Sequence, residues 1–213
     1  MNPTSRLAHV RDRIARAAIA SGRDSGEITL IAVSKTRTFG EIEALIAAGQ
    51  RNFGESRVQE AAEKWPALKR AHPEIRLHMI GRLQSNKAAE ANALFDSIHS
   101  LDRPSLLEAL VRANYEGPCF VQVNVGEEDQ KGGVALDDFP TFLDSVRNSP
   151  LRLAGLMAIP PLDAQPGPYF ALLAKLARRH DVKGLSMGMS ADYETAVMLG
   201  ATHVRVGSAL FQD

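Results

Sequence analysis

Segments rich in apolar and β-branched residues alternate along the chain with segments of helical periodicity, and this alternation constrains the fold more than any other feature. The stretch 29–36 is typical of a buried strand, and Ile42, Leu45 and Ile46 follow it at helical spacing. Strands are predicted in the same way at residues 29–36, 51–55, 77–80, 95–100, 118–125, 151–157, 182–187 and 203–206. Strands that alternate with helices indicate parallel βαβ units.

Eight such units predict an α/β fold, a single (β/α)8 barrel of the TIM type over residues 1–213. A further amphipathic helix is predicted at 4–21, ahead of the first strand, because Leu7, Val10 and Ile14 share one face. The 213 residues fall at the small end of the roughly 200–400 that this fold spans. A doubly wound sheet is the alternative. No G-x-G-x-x-G motif follows a strand, which weakens a dinucleotide-binding function without excluding that topology.

Composition and charge narrow the class of protein. Hydrophobic residues at 45% and charged residues at 23% are usual for a globular chain. The 25 basic and 25 acidic side chains balance, so no overall field attracts nucleic acid or an anionic membrane. Cys119 is the only cysteine, which excludes an intrachain disulfide and argues against a cysteine-based zinc site. Without a membrane-length apolar run or a signal core, a cytoplasmic protein is expected.

The first predicted strand carries Lys35 at its carboxyl end. In barrels of this type the carboxyl ends of the strands form the working end. An ammonium at the rim of an apolar barrel is partly desolvated, which disfavours its charged form and makes the amine a better nucleophile, able to form a Schiff base. The alternative is a lysine that caps the strand in solvent, and this segment alone does not decide between the two.

The loops after strands seven and eight are the places where such barrels commonly hold phosphate. Residues 186–190 follow strand seven, with Ser190 as the predicted N-cap of the helix that ends at Gly200, and residues 207–209 follow strand eight. Glycine in both loops allows backbone N–H groups to approach an anion. Either loop alone is equally well explained as an ordinary turn, but the two together favour a phosphate.

Arg205 lies near the carboxyl end of the last strand, where side chains can point into the barrel mouth. A guanidinium keeps its proton, so if it faced a pyridine nitrogen it would donate a hydrogen bond and leave that nitrogen unprotonated. The alternative is an ion pair at the strand end. A lysine amine, a phosphate site and an arginine donor on one rim are the groups needed to hold pyridoxal 5′-phosphate (PLP).

Two further features are interpreted as structural. His78 and His99 lie in or at the end of strands, where a lone histidine is more often a hydrogen-bonded packing residue than a ligand, and no metal-ligand spacing relates them. The prolines at 160–161 and 166–168 predict a stiff irregular loop, with a helix that resumes at Tyr169.

Six sequence blocks carry a resemblance to a known family. They are A-V-S-K at 32–35, F-G-E at 53–55, I-G-R-L-Q-S-N-K at 80–87, G-L-M-A-I-P at 155–160, L-S-M-G-M-S-A-D at 185–192 and V-R-V-G at 204–207. In these blocks the chain resembles the pyridoxal-phosphate homeostasis protein family, which is itself similar to the barrel domain of alanine racemase. Ser56 departs from the family, which usually has asparagine after F-G-E, so one polar contact near the cofactor is expected to differ from that of the family.

The resemblance implies a set of cofactor-binding residues. They are Lys35, Met157, Ser186, Arg205, Gly207 and Ser208. Lys35 is expected to form the internal aldimine with PLP and Arg205 to face the pyridine nitrogen. Ser186 and the backbone around Gly207 and Ser208 are expected to bind the phosphate.

The resemblance also implies a function. Members of the family are regarded as carriers or regulators of PLP without established turnover, so a PLP-binding protein of vitamin B6 homeostasis is expected, not an enzyme. An unprotonated pyridine is a poorer electron sink, and 213 residues are too few to include the second, β-rich domain that supplies a racemase with its opposing tyrosine base, so that base is not expected. The alternatives are a PLP-dependent, racemase-like enzyme and a regulator with PLP-dependent enzymes as partners. A monomer is expected.

Overall fold

Eight parallel strands form a closed barrel in the computed structural model, which describes residues 2–128, 130 and 132–211. The strands are β1 (Thr29–Val33), β2 (Asn52–Glu55), β3 (Arg76–Met79), β4 (Ser97–Leu101), β5 (Pro118–Gln122), β6 (Arg152–Met157), β7 (Gly184–Ser186) and β8 (His203–Val206). Each strand pairs with the next one along the chain, and β8 pairs with β1. The predicted (β/α)8 barrel is confirmed, and the doubly wound alternative is wrong because the sheet closes.

Helices cover the outside of the barrel. In the described ranges they are α1 (Pro3–Ala20), α2 (Phe39–Ala47), α3 (Val58–Ala71), α4 (Ala88–Leu94), α5 (Pro104–Arg112), α6 (Phe139–Arg147), α7 (Pro166–Arg179) and α8 (Tyr193–Met198). Their apolar faces pack on the sheet through large buried side chains such as Trp65, Phe139 and Phe170. None of these helices is long and apolar enough to cross a membrane.

The leading helix α1 completes the ring of helices. It contacts both α8 and α2, and so it occupies the place of a helix that would follow β8. The residues described after β8, 207–211, form only a turn. Arg6 Nε donates to the carbonyl of Leu210 at 2.7 Å, which joins α1 to this turn. The helix that the sequence predicts as an addition to the barrel is therefore part of its wall.

The inside of the barrel is partly polar. Side chains along each strand alternate between the barrel interior and the helical layer. On β8, His203 and Arg205 share the inner face, while Val204 and Val206 belong to the apolar layer under the helices. Barrel interiors are usually filled by branched apolar residues. Here four buried polar residues take part of that space, namely His78, His99, Ser186 and Arg205.

The segment 166–168 differs from the sequence prediction. Helix α7 begins at Pro166 and not at Tyr169, so the expected loop is wrong over these three residues, whereas residues 160–165 are irregular as expected. Proline is tolerated in the first turn of a helix, because the N–H groups there have no helical acceptor and the fixed φ of proline suits the helix.

Ser190 is not the N-cap of α8, so this prediction is wrong. The cap position belongs to Asp192, because residues 189–192 first make a turn in which the Asp192 carboxylate accepts from the Met189 N–H at 2.5 Å. The Ser190 hydroxyl is consequently not used by the helix. It accepts instead from the Gly207 N–H at 3.0 Å, on the loop after β8.

Candidate functional site

A cavity of about 390 Å³ opens at the carboxyl ends of β1 and β8. This volume lies within the range of about 300–1,000 Å³ that is usual for small-molecule sites. The lining residues are Val33, Lys35, Thr36, Arg37, Ser56, Ile80, Ile159, Met189, Ser190, Arg205, Gly207 and Ser208. The cavity therefore brings the strand-end lysine together with the arginine of β8 and the two loops that follow β7 and β8.

Lys35 stands two residues beyond β1, and its side chain is exposed. The lysine thus lies at the rim, where the sequence places it, and it lines the cavity while remaining open to solvent. The next residue, Thr36, has a φ of 61°, a left-handed conformation that is unusual for a β-branched residue. Such strain costs about 1–3 kcal/mol and persists only where the surroundings enforce it. Glu60 does so here by accepting from the Thr36 N–H at 2.5 Å.

A buried carboxylate holds the backbone on the other side of Lys35. Glu55 at the end of β2 is fully buried and accepts from Ser34 Oγ at 2.8 Å and from Trp65 Nε1 at 3.0 Å. Lys64 Nζ lies 2.9 Å from the same carboxylate oxygen and donates to the Ser34 carbonyl at 3.1 Å. The direction in which the chain leaves β1 is thus fixed by charge-assisted hydrogen bonds.

The loops after β7 and β8 supply hydrogen-bond donors to one wall of the cavity. The contact between the Ser190 hydroxyl and the Gly207 N–H holds the two loops together. Among the residues that the structure describes, the N–H groups of Ser190 and Ser208 have no acceptor. Free backbone N–H groups and hydroxyls that converge on one space are the donors that a phosphate requires.

Arg205 extends from β8 beneath the cavity, and its guanidinium is buried. One terminal nitrogen donates to Ser186 Oγ at 2.7 Å and the other to the carbonyl of Ala158 at 3.0 Å. Burial lowers the pKa of Arg205 to about 10, so the group remains charged near neutral pH. Two acceptors therefore fix the guanidinium while the side chain still lines the cavity.

A chain of buried hydrogen bonds continues from Arg205 through the barrel. Ser186 Oγ lies 2.8 Å from His99 Nδ1, and His99 Nε2 lies 3.0 Å from His78 Nδ1. His78 Nε2 lies 3.0 Å from Asn52 Oδ1 at the start of β2. We call these five residues the interior chain. It runs from the carboxyl end of the barrel to its amino end.

The partners determine which atom donates at each link of the interior chain. Asn52 Oδ1 can only accept, so His78 Nε2 carries a hydrogen and His78 Nδ1 accepts from His99 Nε2. His99 Nδ1 then accepts from the Ser186 hydroxyl, whose oxygen accepts from Arg205. When both imidazoles are neutral, each of the four links between these residues has one donor and one acceptor, and both histidines and the Ser186 hydroxyl are satisfied.

Burial keeps the imidazoles inside the barrel neutral. It lowers the pKa of His78 to about 3 and that of His203 to about 4, and it holds the pKa of His99 well below its usual value. The ring centroids of His99 and His203 are 5.6 Å apart, and Phe120 stacks on His99 at 4.2 Å. Among the described residues, no group of three His, Cys, Asp or Glu side chains is arranged to hold a metal ion.

The structure brings four of the six predicted cofactor residues to the cavity. These are Lys35, Arg205, Gly207 and Ser208. The other two, Ser186 and Met157, are fully buried, are paired in register on β7 and β6, and are not lining residues. Ser56, at which the chain departs from the family pattern, does line the cavity.

Two features of the site are absent from the sequence prediction. Ser190 is expected only as a helix cap, although it lines the cavity. His78 and His99 are expected as separate packing residues, although they bond to each other. Strand alternation is the sequence signal that could place histidines inside the barrel. His203 lies two residues before Arg205 on β8, so the two side chains point to the same, inner face of the strand.

Comparison with known proteins gives the family. Residues 6–213 match the family described as alanine racemase, N-terminal domain. A pyridoxal phosphate homeostasis protein of Pseudomonas aeruginosa is 41% identical over 215 residues, which cover 96% of this chain and 93% of the relative. This chain belongs to the pyridoxal phosphate homeostasis protein family.

Solved structures agree with this family. The structure of PipY of Synechococcus elongatus PCC7942 with PLP bound is 35% identical, has a TM-score of 0.84 and matches over 98% of this chain and 99% of that one. The alanine racemase of Corynebacterium glutamicum is 18% identical with a TM-score of 0.69, over 97% of this chain and 60% of that one. At that identity the racemase shows a shared fold alone.

The neutral histidines predict a loss of stability in mild acid. Because the pKa values of His78 and His203 are lower in the folded state, at about 3 and about 4, the unfolded chain binds more protons below its own histidine pKa of about 6.5. The free energy of unfolding should therefore fall between about pH 7 and pH 5, by up to about 2 kcal/mol for each of these histidines. Urea unfolding at the two pH values measures the fall.

The variant His203→Gln should lose its share of this pH dependence, whereas His9→Gln, an exposed position in α1, should keep all of it. The comparison uses the difference between the two pH values and so does not depend on the absolute stability of either variant. If the free energy of unfolding of His203→Gln fell as much between pH 7 and pH 5 as that of the wild-type protein, the neutral state of His203 would be contradicted.

Proposed function

We propose that this chain, as a single barrel domain, binds PLP at the cavity beside Lys35 and takes part in vitamin B6 homeostasis. The observation that carries this function is the convergence of Lys35, Arg205 and the loops of Ser190 and Gly207 on one space. The name of the relatives and the PLP that is bound in PipY support it.

Lys35 is the residue that we assign to the covalent bond. PLP supplies an aldehyde, which condenses reversibly with a primary amine with loss of one water molecule. Among the residues that line the cavity, Lys35 alone carries such an amine. Its exposed position leaves it open to a ligand that arrives from solvent, and the Thr36 turn sets the direction from which the amine approaches.

We assign the phosphate to the wall formed by the loops after β7 and β8. Ser190 contributes its hydroxyl and N–H, and Gly207 and Ser208 contribute the facing loop. Ser186 acts one step away, because its hydroxyl is already used by Arg205 and His99. Met157, buried beside Ser186, supports the same region from below.

Arg205 is the donor that we assign to the pyridine nitrogen. Ser186 and the Ala158 carbonyl hold the guanidinium in place, and further N–H groups of the fork remain for a ligand. A nitrogen that accepts from a permanently charged donor stays unprotonated, so the ring is a weak electron sink. This favours holding and releasing the cofactor over catalysis. Delivery to PLP-dependent enzymes, a cytoplasmic location and a monomeric state stay predictions from the sequence.

The role of Lys35 predicts where borohydride will fix the cofactor. Protein mixed with PLP should show the visible absorption band of amine-bound PLP, and reduction followed by peptide mass spectrometry should place the adduct on Lys35. Lys35→Ala should abolish both signals. Lys87→Ala, which removes a lysine paired with Glu90 on the protein surface, should change neither. An adduct on another lysine of the wild-type protein would contradict the assignment.

The role of Ser190 predicts weaker binding in Ser190→Ala. A hydrogen bond to a charged group contributes about 1.5–3 kcal/mol, so the dissociation constant of PLP should rise by about tenfold or more. Ser145→Ala is the matched control, because that hydroxyl is exposed on α6 and, among the described residues, bonds only to the carbonyl of Thr141. Titration of the visible band gives both constants. An unchanged constant in Ser190→Ala would remove this serine from the phosphate wall.

The racemase-like alternative requires a second acid or base opposite Lys35. None of the three tyrosines lines the cavity: Tyr115 and Tyr193 are buried elsewhere and Tyr169 lies in the first turn of α7. PLP-loaded protein should therefore exchange the α-hydrogen of L-alanine in heavy water no faster than free PLP does. Proton NMR of the amino acid measures the exchange. A faster exchange that disappears in Lys35→Ala would establish the enzyme instead.

A further inference from the structure

A second and larger cavity, of about 850 Å³, lies at the opposite end of the barrel from Lys35. It is lined by the first residues of six strands, namely Asn52, Arg76, Ser97, Pro118, Arg152 and His203. In barrels of this type the amino ends of the strands usually serve stability, and the proposed function makes no use of this space. The cavity nevertheless has the size, the converging polar groups and the imidazoles of lowered pKa that are typical of a small-molecule site.

The interior chain ends at this amino-terminal cavity. Asn52 Oδ1 is used by His78, so the amide nitrogen Nδ2, which has no acceptor among the described residues, is available to donate into the cavity. The opposite orientation of the amide would reverse the three links between Asn52 and Ser186. It would leave the Ser186 hydroxyl without an acceptor in the interior chain, because His99 and Arg205 would then both donate to it. An occupant that accepts a hydrogen bond from Asn52 therefore stabilises the satisfied orientation.

The charges around the amino-terminal cavity also favour an acceptor. Arg152 has no ion-pair partner in the described part of the chain, although it lines the cavity. The carboxylate of Asp96 is 2.8 Å from Lys69 and 3.5 Å from Arg76, so it is already neutralised. The lining residues include two cations, Arg76 and Arg152, and two carboxylates, Asp96 and the exposed Glu116. Since Asp96 is engaged by Arg76, Arg152 is the lining cation that can pair with a ligand. Apolar residues complete the lining, namely Phe95, Pro118, Phe120 and Ala154, and they offer a surface to the body of a ligand.

We infer that the amino-terminal cavity is a second ligand site, which takes a small molecule that carries a carboxylate or phosphate on an apolar or aromatic body. The oxyanion pairs with Arg152 and accepts from Asn52, and the body lies against the apolar part of the lining. This site is separate from the one beside Lys35. The interior chain connects the two, since its hydrogen bonds run without interruption from Asn52 to Arg205.

The test uses the protein as purified, labelled with nitrogen-15 in histidine, and benzoate as the probe. Benzoate should shift the ring nitrogen signals of His78 and His203, and the size of the shift should reach a plateau as the benzoate concentration rises. Benzylamine, which has the same ring and the opposite charge, should not. Arg152→Ala should weaken benzoate binding by about tenfold, the usual consequence of losing a charged hydrogen bond. Arg179→Ala, which removes an exposed arginine at the end of α7, should leave it unchanged.

A non-saturable response to benzoate, an equal response to benzylamine, or an unchanged affinity in Arg152→Ala would each overturn this site. None of the measurements requires PLP to be bound. Their failure would therefore leave the function proposed for Lys35 intact, and the failure of PLP binding would leave this site intact.

Discussion

The positive charge of Arg205 inside the barrel is the constraint on which the rest of the interior depends. A buried cation is costly unless acceptors surround it, and Ser186 and the Ala158 carbonyl provide them. Ser186 in turn needs an acceptor for its own hydrogen, which a neutral His99 supplies. A charged His99 could not accept that hydrogen and would also repel the guanidinium. The charge of Arg205 and the neutrality of the histidines therefore depend on each other.

At the rim of the cavity the buried charge is negative, in contrast to the positive charge of Arg205, and it belongs to Glu55. Glu55 is fully buried, and its Oε1 is contacted by donors from Ser34, Trp65 and Lys64. This carboxylate fixes the exit of β1, so the exposed Lys35 begins from a rigid backbone. A mobile side chain on a fixed base suits a cofactor that must both arrive and leave. Arg205, held on two sides, provides the rigid counterpart across the cavity.

Strand alternation and strand ends account for what the sequence could predict. Eight apolar segments with helices between them are enough to indicate the barrel, and the carboxyl ends of the strands single out Lys35, Arg205 and Gly207. The role of Ser190 depends on whether the helix is capped at Ser190 or two residues later at Asp192, which the sequence pattern does not decide. The bonds between His78, His99 and Ser186 join strands whose mutual positions exist only after closure.

Helix α1 fills the place in the helical ring that would follow β8. The first helix of the chain therefore completes the barrel wall beside its last strand. The bond between Arg6 and Leu210 joins residues 204 positions apart, and β1 pairs with β8 along the same seam. Contacts this distant in sequence form only after most of the chain is ordered. The cavity beside Lys35 lies at that seam, since residues of both paired strands line it, Val33 from β1 and Arg205 from β8. A ligand bound there would contact both the first and the last strand, so its binding free energy would add to the stability of the closed barrel.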